Sequence, residues 1–185
     1  REDRQGGQGV RLTRHLRWLL LAVPMALAAC EDVPSSTGGS AGAVGPGPHQ
    51  VDGTVASIMF SQICAQTYPN IEAARAEIAK LPFTQHPQTG TYYHRALDLS
   101  FKLTKSSDRQ SCSMVFATTN RDQGALGILV SAGVGSAGIA TENKIGLDPA
   151  TGATVMKLKQ NGTFAFRATS STGSRVYYNA IIKKK

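Results

Sequence analysis

Tyr92, His94 and Asp98 are the side chains whose types and spacing come nearest to a chemical site in this chain. Alternate residues of an extended strand share a face, so the three are expected to project together from a strand that carries them. An imidazole on the same surface as a carboxylate can sense pH or contact a metal. Strand rise separates His94 from Asp98 by about 13 Å, too far for a direct hydrogen bond. The face is therefore read as solvated, with a surface contact as its chemical use. Gly133-Val134-Gly135-Ser136-Ala137-Gly138 has the spacing of a dinucleotide fingerprint, whose glycines let a turn and a helix start approach a pyrophosphate. Its setting is the reverse of what that chemistry needs, with a helix expected before it and strand-like residues after it, so it reads as a Gly-rich connector. The chain has no strand-to-helix nucleophile elbow and no H-E-x-x-H. His86 falls in an expected loop and His49 in an expected linker. No catalytic residue, metal or cofactor is assigned.

The elements that would carry these residues follow from hydrophobic period. Val55, Ala56, Met59, Phe60, Ile63 and Cys64 recur at helical spacing and predict a helix over 54–67. A second helix over 71–80 follows Asn70 as cap, with Glu72 in its first turn, and Pro82 ends it. Residues 83–90 have loop chemistry. From Tyr93 the period becomes two: Tyr93, Leu97, Leu99, Phe101 and Leu103 form one face, and Tyr92, His94, Asp98, Ser100 and Lys102 the other. A four-residue loop at Ser106–Arg109 then pairs Leu103 with Cys112, Phe101 with Met114 and Leu99 with Phe116. A third helix is expected over 121–132, with Asn120 as cap and Asp122 in the first turn. Strands near 139–147, 154–159, 163–169 and 175–182 complete an antiparallel meander. Three-residue loops ending at Gly162 and Gly173 would pair Leu158 with Phe164, Met156 with Phe166, Phe166 with Tyr178 and Phe164 with Ala180. The expected class is α+β: N-terminal helices packed on an antiparallel sheet, with a C-terminal four-strand meander.

Arg11, Arg14 and Arg17 precede an apolar stretch from Trp18 to Ala29 that closes on Leu27-Ala28-Ala29-Cys30. A secretory signal needs this order of positive charge, apolar run and small residues, and the run of about a dozen residues is shorter than the roughly 20 of a spanning helix. The four-residue ending resembles a bacterial lipoprotein lipobox. That resemblance implies that residues 1–29 are removed and that Cys30 receives a diacylglyceryl group. Two acyl chains suffice for stable anchoring to a membrane. Val10 directly precedes Arg11, and a GUG start codon translates as Val, so residues 1–9 are expected to lie upstream of the true start. Residues 30–50, rich in Gly, Ala, Ser and Pro, read as a flexible tether with a reach of roughly 25 Å. Residues 51–185 form one α+β domain, similar to small lipoproteins of the alphaproteobacterial type, a likeness that implies no activity.

The chain carries 20 Lys and Arg against 12 Asp and Glu. Five basic and two acidic residues fall in 1–29, so the mature balance is 15 to 10, mildly basic. Beyond Lys183-Lys184-Lys185 there is no dense basic patch, which excludes nucleic acid as the natural partner. Asn161-Gly162-Thr163 matches a glycosylation acceptor but in a bacterial chain reads as a turn. With Cys30 assigned to lipid, Cys64 and Cys112 are left as a pair in an oxidising compartment, and the helical and strand periods turn both inward, so a disulfide is expected. Two buried thiols or a metal site are the alternatives, though no His pair supplies zinc spacing. The function expected is a binding or assembly module, lipid-anchored on the periplasmic face of the inner or outer membrane, meeting an envelope protein or peptidoglycan. The alternative is an envelope hydrolase or transferase using His94 and Asp98.

Overall fold

The computed structural model describes residues 44–142 and 144–184. The expected signal segment, the lipobox-like ending with Cys30 and most of the expected tether lie outside them. The class is mixed α+β, with three helices and eight strands among the described residues. Helix α1 (Gly53–Phe60) starts at Asp52, whose carboxylate accepts from Thr54 N at 2.7 Å, and continues as a π-helical turn, Ser61–Ala65. Helix α2 (Ile71–Ala79) is capped by Asn70, which accepts from Glu72 N and Ala73 N, each at 3.1 Å. Strands β1 (Phe83–Gln85), β2 (Tyr92–His94), β3 (Leu99–Lys105) and β4 (Gln110–Thr118) follow. After helix α3 (Gln123–Ser136) come β5 (Gly146–Leu147), β6 (Thr154–Leu158), β7 (Gly162–Thr172) and β8 (Arg175–Lys184).

All eight strands join in one antiparallel sheet, ordered β1-β2-β3-β4-β8-β7-β6-β5. The C-terminal meander is present, but it is fused to the first four strands through β4 and β8. The helices are not all N-terminal, because α3 is inserted between the two halves. Phe60, Ile63 and Cys64, with Ile78 from α2 and Val130 and Val134 from α3, cover one sheet face, where Phe101, Met114, Phe116, Phe164, Phe166 and Tyr178 are buried. Phe116, Tyr178 and Phe166 stack across three strands, with neighbouring ring centroids 5.8 and 5.3 Å apart. Burying such rings supplies both apolar area and a defined contact geometry. Val55, expected inward, is 38 % exposed, and the polar Ser57 and Ser61 take the inner positions, donating to Leu129 O and Gly133 O of α3.

The β3–β4 hairpin has the expected register, Leu103 facing Cys112, Phe101 facing Met114 and Leu99 facing Phe116. The meander registers differ from expectation by two residues: Met156 pairs with Phe164, Phe164 with Ile182 and Phe166 with Ala180. An even shift keeps every large apolar side chain on the inner face. The β6–β7 loop is Lys159-Gln160-Asn161, in which Gln160 and Asn161 take the left-handed conformation and Gly162 belongs to the strand. Gly162 lies under the ring of Tyr68; a Cβ there would come 2.8 Å from Tyr68 Cζ, while Tyr68 Oη donates to Lys159 O at 2.8 Å. The β7–β8 turn has only two residues, Gly173 and Ser174, and the bulge between Ala168 and Ser170 restores the parity that a three-residue loop was expected to supply.

Three further expectations are corrected. Residues 83–85 are a short strand, because Phe83 packs on Phe101 with ring centroids 5.6 Å apart. Helix α3 is capped by Asp122, not Asn120, and runs through Gly133-Val134-Gly135. The glycine-rich motif is therefore helix, not connector, and Gly133 permits close approach of Ser57 of α1 and Ser61 of the π turn, each of which would lie 3.2 Å from an added Cβ. Of the strand expected near 139–147 only an Ala140–Leu158 bridge and β5 form.

Cys64 and Cys112 have their Sγ atoms at bonding distance and Cα atoms 5.6 Å apart, joining the π turn to β4. Closing a loop of about 49 residues stabilises by about 4 kcal/mol in the chain-entropy model. The double variant Cys64→Ala/Cys112→Ala is expected to lose stability of that order in urea unfolding. Gly162→Ala should cost about 1–3 kcal/mol through overpacking against Tyr68. In a Tyr68→Ala background that cost should largely disappear, as read by a double-mutant cycle.

Candidate functional site

The three residues expected on a wet strand face are all buried: Tyr92 is 9 % exposed, His94 7 % and Asp98 5 %. The expected single strand is two, and the chain turns over at Arg95–Asp98, which reverses the count of faces. Tyr92 faces the core, and its hydroxyl accepts from Arg75 Nη1 at 3.0 Å. His94 Nδ1 accepts from Ala96 N at 3.2 Å and Leu97 N at 3.0 Å, and the ring meets Phe83 edge-on. It closes the turn between β2 and β3.

Asp98 Oδ2 accepts from Arg175 Nη1 at 3.2 Å and from the Tyr177 hydroxyl at 3.3 Å. Arg175 also donates through Nη2 to Pro48 O at 3.1 Å, and Asp98 N donates to His49 O at 2.6 Å. Gly47 N and His49 N donate to Leu97 O and Ala96 O, each at 3.1 Å. Residues 47–49, assigned to the tether on composition, are thus pinned to the end of the sheet, and the folded body starts before residue 51. His86 accepts from Gln88 N and Thr89 N within its own turn. Among the described residues no three His, Cys, Asp or Glu side chains gather as a metal site.

At the other end of the central strands lies a cleft of about 740 Å³. Its floor follows from strand register. Thr104 faces Ser111, Ser111 faces Lys183 and Lys183 faces Thr163, one row across four strands. With adjacent strands about 4.8 Å apart, the row spans roughly 14 Å. Parity puts it on the sheet face opposite the helices. Lys105, Gln110 and Lys184, strand-end residues of the alternate row that points to the helix side, border it at the sheet's end with Arg109 from the β3–β4 loop and Asn161 from the β6–β7 loop. Thr104 and Ser111 hydroxyls are hydrogen-bonded to each other. Among the described residues no Asp or Glu lines the cleft, against four cations. Arg109 meets Asp108 at 3.4 Å and Lys105 lies 3.9 Å from Glu72, both solvent-exposed pairs worth little. Among the described residues Lys183 forms no ion pair. A shallower hollow of about 530 Å³ continues past Thr163 over Val155 and Ala165.

The sequence pointed to the lysines at the chain's end only as charge. Their alignment with the hydroxyls of β4 and β3 depends on the β4–β8 pairing, which local period does not announce. Compared with family models, curated proteins and solved structures, the chain finds no match.

Burial holds the His94 pKa below the ordinary histidine value of about 6.5. Protonation is disfavoured in the fold and easy in the unfolded chain, so the unfolded state binds more protons below that value. The stability of the wild type over His94→Asn should be fully present near pH 7.5 and shrink as the pH falls through 6.5 and below. Thermal melts of both proteins across that range check it.

Proposed function

We propose that this chain is an exported lipoprotein, held at the periplasmic face of a bacterial envelope membrane by lipid on Cys30, whose folded body binds a partner and does not transform it. The lipobox-like Leu27-Ala28-Ala29-Cys30 supports the anchoring. The bonded Cys64–Cys112 pair in the core fits an oxidising compartment, where such bonds persist.

One observation carries the binding role: the open cleft at Lys183 and Lys184 lies at the far end of β8 from Arg175, which grips the entering chain at Pro48. Ten residues of strand separate the two by about 30 Å. The chain therefore enters the body at the end opposite the cleft, which leaves the cleft open to a partner such as peptidoglycan or another envelope protein. A hydrolase or transferase built on His94 and Asp98 draws no support from the geometry, since both side chains hold the protein's own backbone and neighbours.

Expression of wild type and Cys30→Ser in a bacterial host, with fatty-acid labelling and membrane fractionation, tests the anchoring. The wild type is expected to label and sediment with membranes, and the variant to do neither. A wild type that carries no lipid and fractionates as soluble protein would refute the proposal.

A further inference from the structure

We infer that the cleft at the end of β3, β4, β8 and β7 is a binding site for a linear anionic polysaccharide, one bearing carboxylates and hydroxyls along its length. This rests on the binding-module reading and names the ligand chemistry of that module. Charge comes first: Lys183 on the row, with Lys105, Arg109 and Lys184 at the sheet's end, line the cleft, and among the described residues no Asp or Glu does. Cations in a concavity focus positive potential and attract an anion over distances that exposed pairs do not reach.

The floor then selects among anions. Thr104, Ser111 and Thr163 present hydroxyls in one row with Lys183 between two of them. A hydroxyl both donates and accepts, which matches the alternating donors and acceptors of sugar hydroxyls, while an ammonium only donates and matches a carboxylate. The row, roughly 14 Å across, suits an extended chain of a few sugar units lying athwart the strands.

Two other occupants fit less well. An acidic peptide commonly docks by adding a strand to a sheet edge. Here the middle of the floor lies on β4 and β8, each paired on both sides, and the one unpaired edge beside it is the short stretch of β3 beyond Phe101. An anionic bilayer is broad and flat, whereas this site is a hollow between the Ser106–Arg109 and Lys159–Asn161 loops.

The test uses the purified full chain in non-ionic detergent and a fluorescent oligogalacturonate of about six units, followed by anisotropy. Saturable one-to-one binding is expected, weakened in 0.5 M salt by screening. Lys183→Gln should reduce affinity about ten-fold and Thr163→Val about five-fold, in line with loss of a charged and a neutral hydrogen bond. Lys80→Gln, on α2 and paired with Glu77, should change it less than two-fold. Maltohexaose, neutral but hydroxyl-rich, and hexaglutamate, anionic without hydroxyls, should each bind at least ten-fold more weakly.

Equal binding of hexaglutamate would overturn the polysaccharide assignment in favour of an acidic peptide. Capture by vesicles of phosphatidylglycerol and phosphatidylcholine without oligogalacturonate binding would overturn it in favour of a membrane. Equal losses in Lys183→Gln and Lys80→Gln would reduce the interaction to diffuse charge, and no binding at all would refute the site. None of these results bears on lipid at Cys30, so the anchoring and the ligand chemistry stand or fall separately. Near-ultraviolet circular dichroism of each variant separates lost binding from lost folding.

Discussion

The pairing of β4 with β8 is the constraint on which the rest of the molecule depends. Gln110–Thr118 lies against Val176–Lys184 along its whole length, and without it the chain would be two separate meanders with ragged edges. The same ladder sets Phe116 against Tyr178 at the centre of the core, Cys112 against Ile182 beneath the π turn, and Ser111 against Lys183 in the cleft. Parity links these consequences. A one-residue slip would turn Tyr178 outward and Lys183 inward at once, so the aromatic core fixes the arrangement of charge on the opposite face. The bulge at Ala168–Ser170 belongs to this logic, because it lets a two-residue turn and an inward-facing Phe166 coexist.

How much of this could be read from the chain alone depends on how local each feature is. The β3–β4 hairpin was legible because both strands alternate cleanly and four polar residues join them, and the inward Cys64 and Cys112 followed from the same periods. The N-cap of α2 was legible for the same reason, since Asn70 accepts from the neighbouring backbone of Glu72 and Ala73. The meander strands were found but their partners were misjudged by two residues. Asn161-Gly162 looks like a left-handed turn, whereas the glycine is needed for contact with Tyr68, distant in the chain. The faces of Tyr92 and His94 were inverted because the four-residue turn at Arg95–Asp98 broke a run that looked continuous. The cleft had no local signature, being assembled from strands on either side of α3.

His94 and Asp98 illustrate how residue types that suggest chemistry can be structural. A buried imidazole accepting two backbone N–H groups satisfies donors that a tight turn would otherwise leave unpaired, and a buried carboxylate with an arginine and a tyrosine meets the usual condition for burying charge. The side chains lining the solvent-facing cleft are lysine, arginine, serine and threonine, residues that hold ligands by charge and hydrogen bonds. The division of labour is spatial: titratable groups with internal partners sit at the end where the chain enters, and cations facing solvent sit at the other.

The clamp around Pro48 also decides how the body bears mechanical load. Tension arriving along the residues before Gly47 meets the parallel bridge between His49 and Leu97, the backbone bonds to Ala96 and Leu97, and the Arg175 guanidinium, all before it reaches α1. A pull on the chain before Gly47 would load these bonds together, instead of one by one, at the rim of the sheet and ahead of the aromatic stack and the far cleft.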